Sequence, residues 1–144
     1  MNPLKLSGLF IYPLKSARGN PVSRLSFAPD GPSGDREWMV VDENGAQITA
    51  RETPQLLAIR ATQNPDGTLH LAFARGDKIH VPPPETQRSA SLFSSRLDVL
   101  DAGDAAAAWL TRNLNKPARL VRKFRETNRD YAANSYGGFG DVAP

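Results

Sequence analysis

Lysine, arginine and serine occur at two places in the chain where turns could hold them around an anion. Lys15 and Ser16 are adjacent in a turn closed by Gly19, and Arg36 comes shortly after Gly34, which can adopt a positive φ. Lysine supplies a compact point charge, and arginine a planar fork that matches two phosphate oxygens. Two cations and one hydroxyl from two loops would hold one phosphate of a small ligand. The alternative is that all three are ordinary solvated side chains, which are common on protein surfaces.

The composition excludes several kinds of chemistry. The 144 residues contain no cysteine, which excludes disulfides, thiolate catalysis and cysteine-ligated metal within this chain. His70 and His80 are the two imidazoles, and both lie in alternating segments typical of solvent-facing strand positions. Two histidines make a serine triad or a metal centre poor interpretations. We therefore predict no catalytic residue and no metal ligand in the chain.

Length and composition indicate one small domain without a membrane-spanning segment. A chain of 144 residues forms one domain by size, and its 12 prolines and 11 glycines favour short β-elements over a helical bundle. The N-terminus lacks an apolar signal segment, and no run approaches the 18 apolar residues of a membrane span. We expect a cytoplasmic, bacterial-type protein without a membrane partner.

The elements that would position the first two turns are strands. Residues 4–12 alternate and predict a first strand that ends at Pro13. Residues 21–27 predict a second strand with a bend, and residues 29–34 are turn-forming. A simple meander would place the turns after strands one and two at opposite ends of a barrel. The ten residues 28–37 can span about 33 Å, which is enough to return to the first turn.

A third strand, from Trp38 to Val41, runs into the dipeptide Asn44-Gly45, a strong hairpin signal. A two-residue type I′ loop pairs Val41 with Ile48 and Met39 with Ala50. It also puts Arg51 on the face of Trp38, towards the cleft of Arg36, so that Arg51 joins the candidate anion site. A three-residue loop ending in a left-handed glycine would shift the register. We prefer the two-residue loop because it sorts apolar and polar faces better.

The second half of the chain predicts further strands and one helix. Thr53 and Pro54 open a short turn, followed by strands over 56–62, 69–73 and 78–81, a loop over 85–90 and a long strand over 91–100. Asp101 is predicted to cap a helix over about 103–114, and a last strand runs through Val121. The apolar stripe of the helix consists of Ala106, Trp109, Leu110 and Leu114. The fold class is therefore α+β, mainly β, with a partly open, mostly antiparallel β-barrel and one main helix.

Five stretches, in order, resemble one known family. They are residues 12–16 (Tyr-Pro-Leu-Lys-Ser), 34–38 (Gly-Asp-Arg-Glu-Trp), 49–52 (Thr-Ala-Arg-Glu), 103–110 and 119–121. This pattern, spread over residues 4–123, is similar to the N-terminal β-barrel domain of the MOSC (molybdenum cofactor sulfurase C-terminal) family. The family includes YcbX-like reductases and the mitochondrial amidoxime-reducing component. The resemblance implies that Lys15, Ser16 and Arg36 contact the phosphate end of the molybdenum cofactor (molybdopterin).

The same resemblance implies that the cofactor contacts and the metal ligand come from two different domains. Family members that use the cofactor ligate molybdenum through a cysteine in a downstream catalytic domain, and this chain has no cysteine. The chain is then an N-terminal module, with a barrel-like domain over residues 1–125. Residues 126–144 would be a flexible tail, the start of a missing or truncated catalytic domain. We expect the isolated chain to be inactive and to bind cofactor only with that half, supplied in cis or in trans. The whole protein would reduce N-hydroxylated substrates, with a redox partner, or carry sulfur.

A different class of function rests on a basic strip. Residues 112–129 carry seven Lys or Arg against one acid, Glu126. This strip could make the chain a non-catalytic binding or interaction β-barrel that docks protein or RNA. Apart from Phe124 no aromatic side chain interleaves the strip, and the net charge is only +3, so nucleic acid is not the expected partner.

Overall fold

Short strands make up most of the computed structural model, which describes residues 2–92 and 95–124. Within these ranges a 3₁₀ helix spans Pro54–Ala58 and one α-helix (α1) spans Asp104–Leu114. The strands are Leu9–Ile11 (β1), Asn20–Val22 (β2), Phe27–Ala28 (β3), Gly31–Pro32 (β4), Trp38–Val41 (β5), Ile59–Gln63 (β6), Leu69–Phe73 (β7), Lys78–Val81 (β8), Thr86–Leu92 (β9), Ser95–Asp101 (β10) and Arg119–Lys123 (β11).

The strands pair antiparallel in four small sheets. One sheet has the order β5-β11-β10-β9, another the order β6-β7-β8, and β1-β2 and β3-β4 form hairpins. Helix α1 packs against β11, β8 and the 3₁₀ helix. The strands of the described part do not close into one continuous barrel. The predicted fold class, a mostly antiparallel and partly open β structure with one main helix, is confirmed.

Strand β5 joins two apolar clusters. Trp38 and Val40 belong to a larger cluster that also contains α1, whereas Met39 and Val41 belong to a smaller cluster with Val99 of β10. All four β5 residues are buried because each face of the strand has its own core. The predicted helix stripe is confirmed, since its four members are buried: Ala106, Trp109, Leu110 and Leu114.

The first two strands are shorter than the sequence predicts. Strand β1 begins only at Leu9, and Leu4 and Leu6 are exposed because no described strand pairs with their segment. The second strand ends at Val22, and the turn-rich residues that follow contain the two-residue ladder of β3 and β4, closed by Gly31 at φ 121°.

The predicted two-residue hairpin at residues 44–45 is wrong. The Asp42 N–H donates to the Ala46 carbonyl at 2.7 Å, which closes a three-residue loop, and Gly45 has φ 80°. The Asp42 carboxylate accepts the N–H groups of Asn44 and Ala46, so a side chain organises the turn. Val41 lies opposite Gln47, not Ile48. Because the predicted register does not form, the predicted arrangement that put Arg51 on the same strand face as Trp38 does not hold.

Three further predictions are corrected. The expected loop over 85–90 and long strand over 91–100 are one hairpin, in which β9 pairs with β10 from Leu92 opposite Ser95 to Thr86 opposite Asp101. Residues 56–58 belong to the 3₁₀ helix and not to a strand. Asp101 does not occupy the N-cap of α1; Gly103 does, and Asp101 accepts its N–H at 2.7 Å. The predicted tail, residues 126–144, lies outside the described residues.

Candidate functional site

The two segments that carry the predicted anion ligands lie side by side. Residues 12–15 run parallel to residues 36–38, with a bridge between Leu14 and Trp38. The Arg36 N–H donates to the Tyr12 carbonyl at 2.6 Å, and the Lys15 N–H donates to the Trp38 carbonyl at 2.9 Å. The chain between β2 and β5 therefore returns to the first turn, and the opposite-end arrangement of a simple meander does not apply. The backbones of Lys15 and Arg36 therefore belong to one hydrogen-bonded unit, and Ser16 directly follows it.

Asp35 and Tyr12 orient the Arg36 side chain. The Arg36 guanidinium pairs with one carboxylate oxygen of Asp35 and lies 4.5 Å from the centre of the Tyr12 ring, in a cation–π contact. The other oxygen of Asp35 accepts the Tyr12 N–H at 2.8 Å. Gly19 leaves room for the Tyr12 ring in this position, because a Cβ there would lie 2.6 Å from a ring carbon.

Ser16 and Arg36 have unusual backbones. Their φ angles are 65° and 45°, and Asn115 is the third non-glycine residue with positive φ in the part of the chain that the structure describes. Asn115 is at the C-cap of α1, where a left-handed residue is expected. Arg36 begins the second paired segment and Ser16 directly follows the first, and such strain concentrates at ligand sites. Lys15, next to Ser16, is only 5% exposed, so its aliphatic stem is packed into the protein.

This donor set suits the phosphate group that the sequence predicts. An ammonium, a hydroxyl and a guanidinium all donate hydrogen bonds, and two of the three are positively charged. Asp35 occupies one Nη of Arg36, so an anion would use the remaining N–H groups of the fork. The chemistry of the three side chains thus fits a phosphate, and their convergence on one remains a prediction.

Arg51 is in a different setting. It is exposed and lines a cavity of about 450 Å³ together with Ala46, Gln47, Thr49, Glu52 and Ser91. None of Lys15, Ser16 and Arg36 lines this cavity. The register that aligned Arg51 with the other three is not the observed one, so its assignment to the anion site remains a prediction without that support.

A buried polar network behind the paired segments was not predicted. Glu37 is buried, and its carboxylate accepts hydrogen bonds from Gln63 at 3.1 Å and from Arg122 at 3.0 Å. The Trp38 indole N–H donates to Gln63 at 3.0 Å, and the Arg122 guanidinium lies 5.5 Å from the Trp38 ring centre. The network ties β5 to β6 and β11. Its members are 85 residues apart at the widest, so no local pattern could reveal it.

The network borders a larger cavity of about 970 Å³, which we call the seam cavity. Its walls come from the β1–β2 hairpin, β6 and the turn after it, and the two paired segments. Its lining includes Ile11, Asn20, Val22, Arg60, Pro65 and Arg122.

The basic strip is largely neutralised within the fold. Every Lys or Arg of the strip that the structure describes contacts an acid or a hydroxyl. The contacts join Arg112 to Asp77, Lys116 to Thr53, Arg119 to Asp101 and Asp104, Arg122 to Glu37, and Lys123 to Asp30. The hydrogen bond from Arg112 is the main reason that the pKa of Asp77 lies below its ordinary value.

Neither a metal-binding group nor a membrane-spanning helix is present among the described residues. No three His, Asp or Glu side chains come together there as a metal-binding group. His70 and His80 are exposed, as predicted, and face each other on β7 and β8 with ring nitrogens 2.8 Å apart. The single described α-helix is too short to cross a membrane.

Comparison with known proteins identifies a matching family and similar proteins. The family described as the MOSC N-terminal beta barrel domain matches residues 4–117. Molybdenum cofactor sulfurase of Danio rerio is 33% identical over 96% of this chain. Human mitochondrial amidoxime-reducing component 1 is 35% identical over 78% of it. The matched regions are 17% and 36% of those two proteins, so the chain corresponds to a minor part of each.

A solved structure shares the fold. The solution structure of a protein from Bordetella bronchiseptica superposes with a TM-score of 0.57. The two chains are 17% identical, and the match covers 74% of this chain and 92% of the other.

Proposed function

Because the chain belongs to the family of MOSC N-terminal β-barrel domains, we propose that it holds the phosphate end of the molybdenum cofactor with Lys15, Ser16 and Arg36. The observation that carries the proposal is the parallel hydrogen-bonded pairing of residues 12–15 with residues 36–38. This pairing makes one structural unit of two cations and a hydroxyl that are 21 residues apart at the widest. Relatives named for the cofactor or for amidoxime reduction support the choice of anion.

In this proposal the residues have separate tasks. Lys15 offers a point charge from a packed stem, and Arg36 offers the guanidinium N–H groups that Asp35 does not use. Ser16, held in a left-handed conformation, adds a hydroxyl donor. The cofactor itself would supply redox or sulfur-transfer chemistry at molybdenum. The whole protein is then an oxidoreductase acting on N-hydroxylated substrates or a sulfur-transfer protein, with the metal ligand on a MOSC catalytic domain.

The competing proposal, an interaction barrel that uses the basic strip, has no observation in its favour. The described cations of the strip already pair with acids and hydroxyls of the same domain. A polyanion would have to displace those internal partners, which costs part of the attraction it offers.

The test measures molybdopterin affinity by tryptophan fluorescence, because Trp38 is hydrogen-bonded to the Lys15 segment. Lys15→Met keeps the packed stem without its charge, and Ser16→Gly removes the hydroxyl but tolerates φ 65°. Arg36→Gln removes the fork. Each change should weaken binding about tenfold or more, the cost of a lost charge-assisted hydrogen bond.

Exposed residues of other strands provide controls. Lys78→Gln on β8 and Arg96→Gln on β10 make the same charge changes outside the paired segments. If these controls weaken binding as much as Lys15→Met and Arg36→Gln do, the affinity reports net charge and the proposal fails. Arg51→Gln, measured alongside, tests the fourth residue that the sequence predicts.

A further inference from the structure

The seam cavity lies where β2 and β6 separate. Just before β2 begins, the chain meets β6 at a parallel bridge between Arg18 and Arg60, where the Arg18 N–H donates to the Ile59 carbonyl at 2.9 Å. Two residues further on, at the first residue of β2, the contact is made by a side chain: the Asn20 amide group donates to the Ala61 carbonyl at 2.6 Å. The next residue is a proline, which has no N–H to extend the ladder. The cavity occupies the gap that opens beyond this point.

The wall of the cavity carries a cation that the fold does not neutralise. Arg60 lines the cavity, and both Arg60 and its bridge partner Arg18 are exposed. Neither guanidinium has a hydrogen bond or ion pair with residues 2–92 or 95–124. Bridge partners on adjacent strands extend from the same face, and like charges in such positions repel. An anion bound between them would remove that repulsion. Arg122, by contrast, is already paired with Glu37.

A second and independent observation also indicates a ligand here. The side-chain oxygen of Asn20 is buried and has no donor in the described part of the chain, although its amide nitrogen is engaged. Buried acceptors are almost always satisfied, by protein, water or ligand. The same cavity has apolar lining from Ile11, Val22 and Pro65. The cavity therefore offers one unpaired cation in its lining, Arg60, with Arg18 beside it on the neighbouring segment, together with one acceptor and an apolar surface.

We propose that the seam cavity binds a small organic anion, a carboxylate or a phosphate monoester with an apolar body. Arg60 and Arg18 hold the charged group, the apolar body lies against Ile11 and Val22, and the Asn20 oxygen accepts an N–H or O–H. A volume of about 970 Å³ is at the upper end of the roughly 300–1,000 Å³ of small-molecule sites. This goes beyond the proposed function, because none of Lys15, Ser16 and Arg36 lines the cavity.

The experiment is an amide NMR titration of the 144-residue chain with defined probes. Phenyl phosphate and benzoate supply an anion and an apolar ring, inorganic phosphate supplies the anion alone, and benzamide supplies the ring without charge. We expect phenyl phosphate and benzoate to shift the amide signals of residues 60–63, 20 and 22 saturably, and to bind more tightly than the other two probes. Arg60→Gln should weaken phenyl phosphate binding by roughly tenfold, and Arg18→Gln should weaken it in the same direction.

Three results would overturn the proposal. One is benzamide binding as tightly as benzoate, and another is an equal loss of affinity in Arg96→Gln, an exposed arginine of β10 outside the cavity. The third is Lys15→Met abolishing phenyl phosphate binding while Arg60→Gln has no effect. That last result would place the anion at the paired segments and leave the proposed function intact. If instead molybdopterin binding fails but Arg60→Gln still weakens phenyl phosphate binding, the seam site stands without the proposed function.

Discussion

Tyr12 connects the sequence motif to the candidate site at the scale of single residues. Its carbonyl accepts the Arg36 N–H, its N–H donates to Asp35, and its ring lies under the Arg36 guanidinium. Tyr12 thus contacts Asp35 and Arg36 through three different groups: its carbonyl, its N–H and its ring. A role of this kind is invisible in the sequence, where Tyr12 looks like the apolar end of a strand.

Replacing Gly19 with alanine should displace the Tyr12 ring. The added Cβ would lie 2.6 Å from the Tyr12 ring, and a flexible ring can move away at modest cost. We expect a loss of less than about 2 kcal/mol in the free energy of unfolding, within the range of small overpacking effects. Molybdopterin affinity should fall nevertheless, because Arg36 loses the ring beneath it.

Paired urea denaturation and fluorescence binding measurements check this prediction. Gly8→Ala is the matched control, since a Cβ there would also press on an aromatic ring at 3.1 Å, but this ring is that of Phe10, whereas the ring against the Arg36 guanidinium is that of Tyr12. Unchanged affinity in Gly19→Ala would show that the position of the Tyr12 ring does not matter for anion binding.

At the scale of elements, Asp101 joins β10, β11 and the start of α1. Its carboxylate binds Arg119 and Arg88 and accepts the Gly103 N–H. Burial alone would raise its pKa, but the hydrogen bonds from Arg119 and Gly103 and the charges of the two arginines outweigh burial and hold the pKa of Asp101 below its ordinary value. A lowered folded-state pKa means that the ionised form stabilises the fold above the unfolded-state pKa, and that this contribution is lost as pH falls through the folded-state pKa.

Asp101→Asn should therefore destabilise the protein by about 1–3 kcal/mol at pH 7, the range for hydrogen bonds to charged groups. The difference from the wild-type protein should begin to shrink as pH falls below about 4, the ordinary aspartate pKa of the unfolded chain, and should disappear below the lower pKa that Asp101 has in the folded protein. Urea denaturation from pH 2.5 to 7 measures both effects. Asp104→Asn removes a contact from an exposed carboxylate to the same arginine and should cost less than about 1 kcal/mol. A difference in Asp101→Asn that is independent of pH would contradict the account.

The hairpin tip after β5 is stabilised by its contact with β9. Gly45 accepts the Ser91 N–H at 2.7 Å, and a Cβ at Gly45 would lie 3.2 Å from the Ser89 carbonyl oxygen. Gly45→Val should cost roughly 1–2 kcal/mol from the left-handed φ alone, plus the clash with the backbone of β9. Gly76→Val is the control, since Gly76 has φ 99° but nothing within 4 Å of its Cβ position. Denaturant midpoints that fall equally in the two variants would show that the contact with β9 adds nothing.

The elements that could be predicted are those whose own residues encode them. The stripe on α1 and the alternation of Leu69, Leu71 and Phe73 in β7 depend on local period, and all of these residues are buried as expected. Strand β9 was missed because Gln87, Arg88 and Ser89 are exposed polar residues, and only pairing with β10 makes them a strand. The loop length at Gly45 was missed because the Asp42 side chain, outside the Asn-Gly pair, determines the turn.

At the scale of the whole molecule, the candidate site depends on a contact between distant parts of the chain. The family resemblance implies that Lys15, Ser16 and Arg36 share one site. A simple meander of strands would instead place Arg36 at the opposite end of the barrel from Lys15 and Ser16. The pairing of residues 12–15 with 36–38 could not be derived from local periodicity, because it needs the whole of the intervening chain to turn back. The same return path buries Glu37 against Gln63 and Arg122.

The last prediction concerns what the domain does alone. The chain has no cysteine, and its described part holds no cluster of metal-ligating side chains. We therefore expect purified chain, supplied with molybdopterin-bound molybdenum and an electron donor, to reduce amidoximes no faster than the cofactor without protein. The sequence predicts cofactor binding only together with the catalytic half, but the paired segments form within this chain, so we now expect the isolated chain to bind as well. A ligand that binds only the folded state stabilises it, by about 2.7 kcal/mol at 100 times Kd. Thermal unfolding with increasing cofactor measures that gain, and Arg36→Gln should reduce it. Amidoxime turnover by the chain above the free-cofactor rate would overturn the assignment of catalysis to another domain, whereas stabilisation without turnover is the behaviour of a binding module.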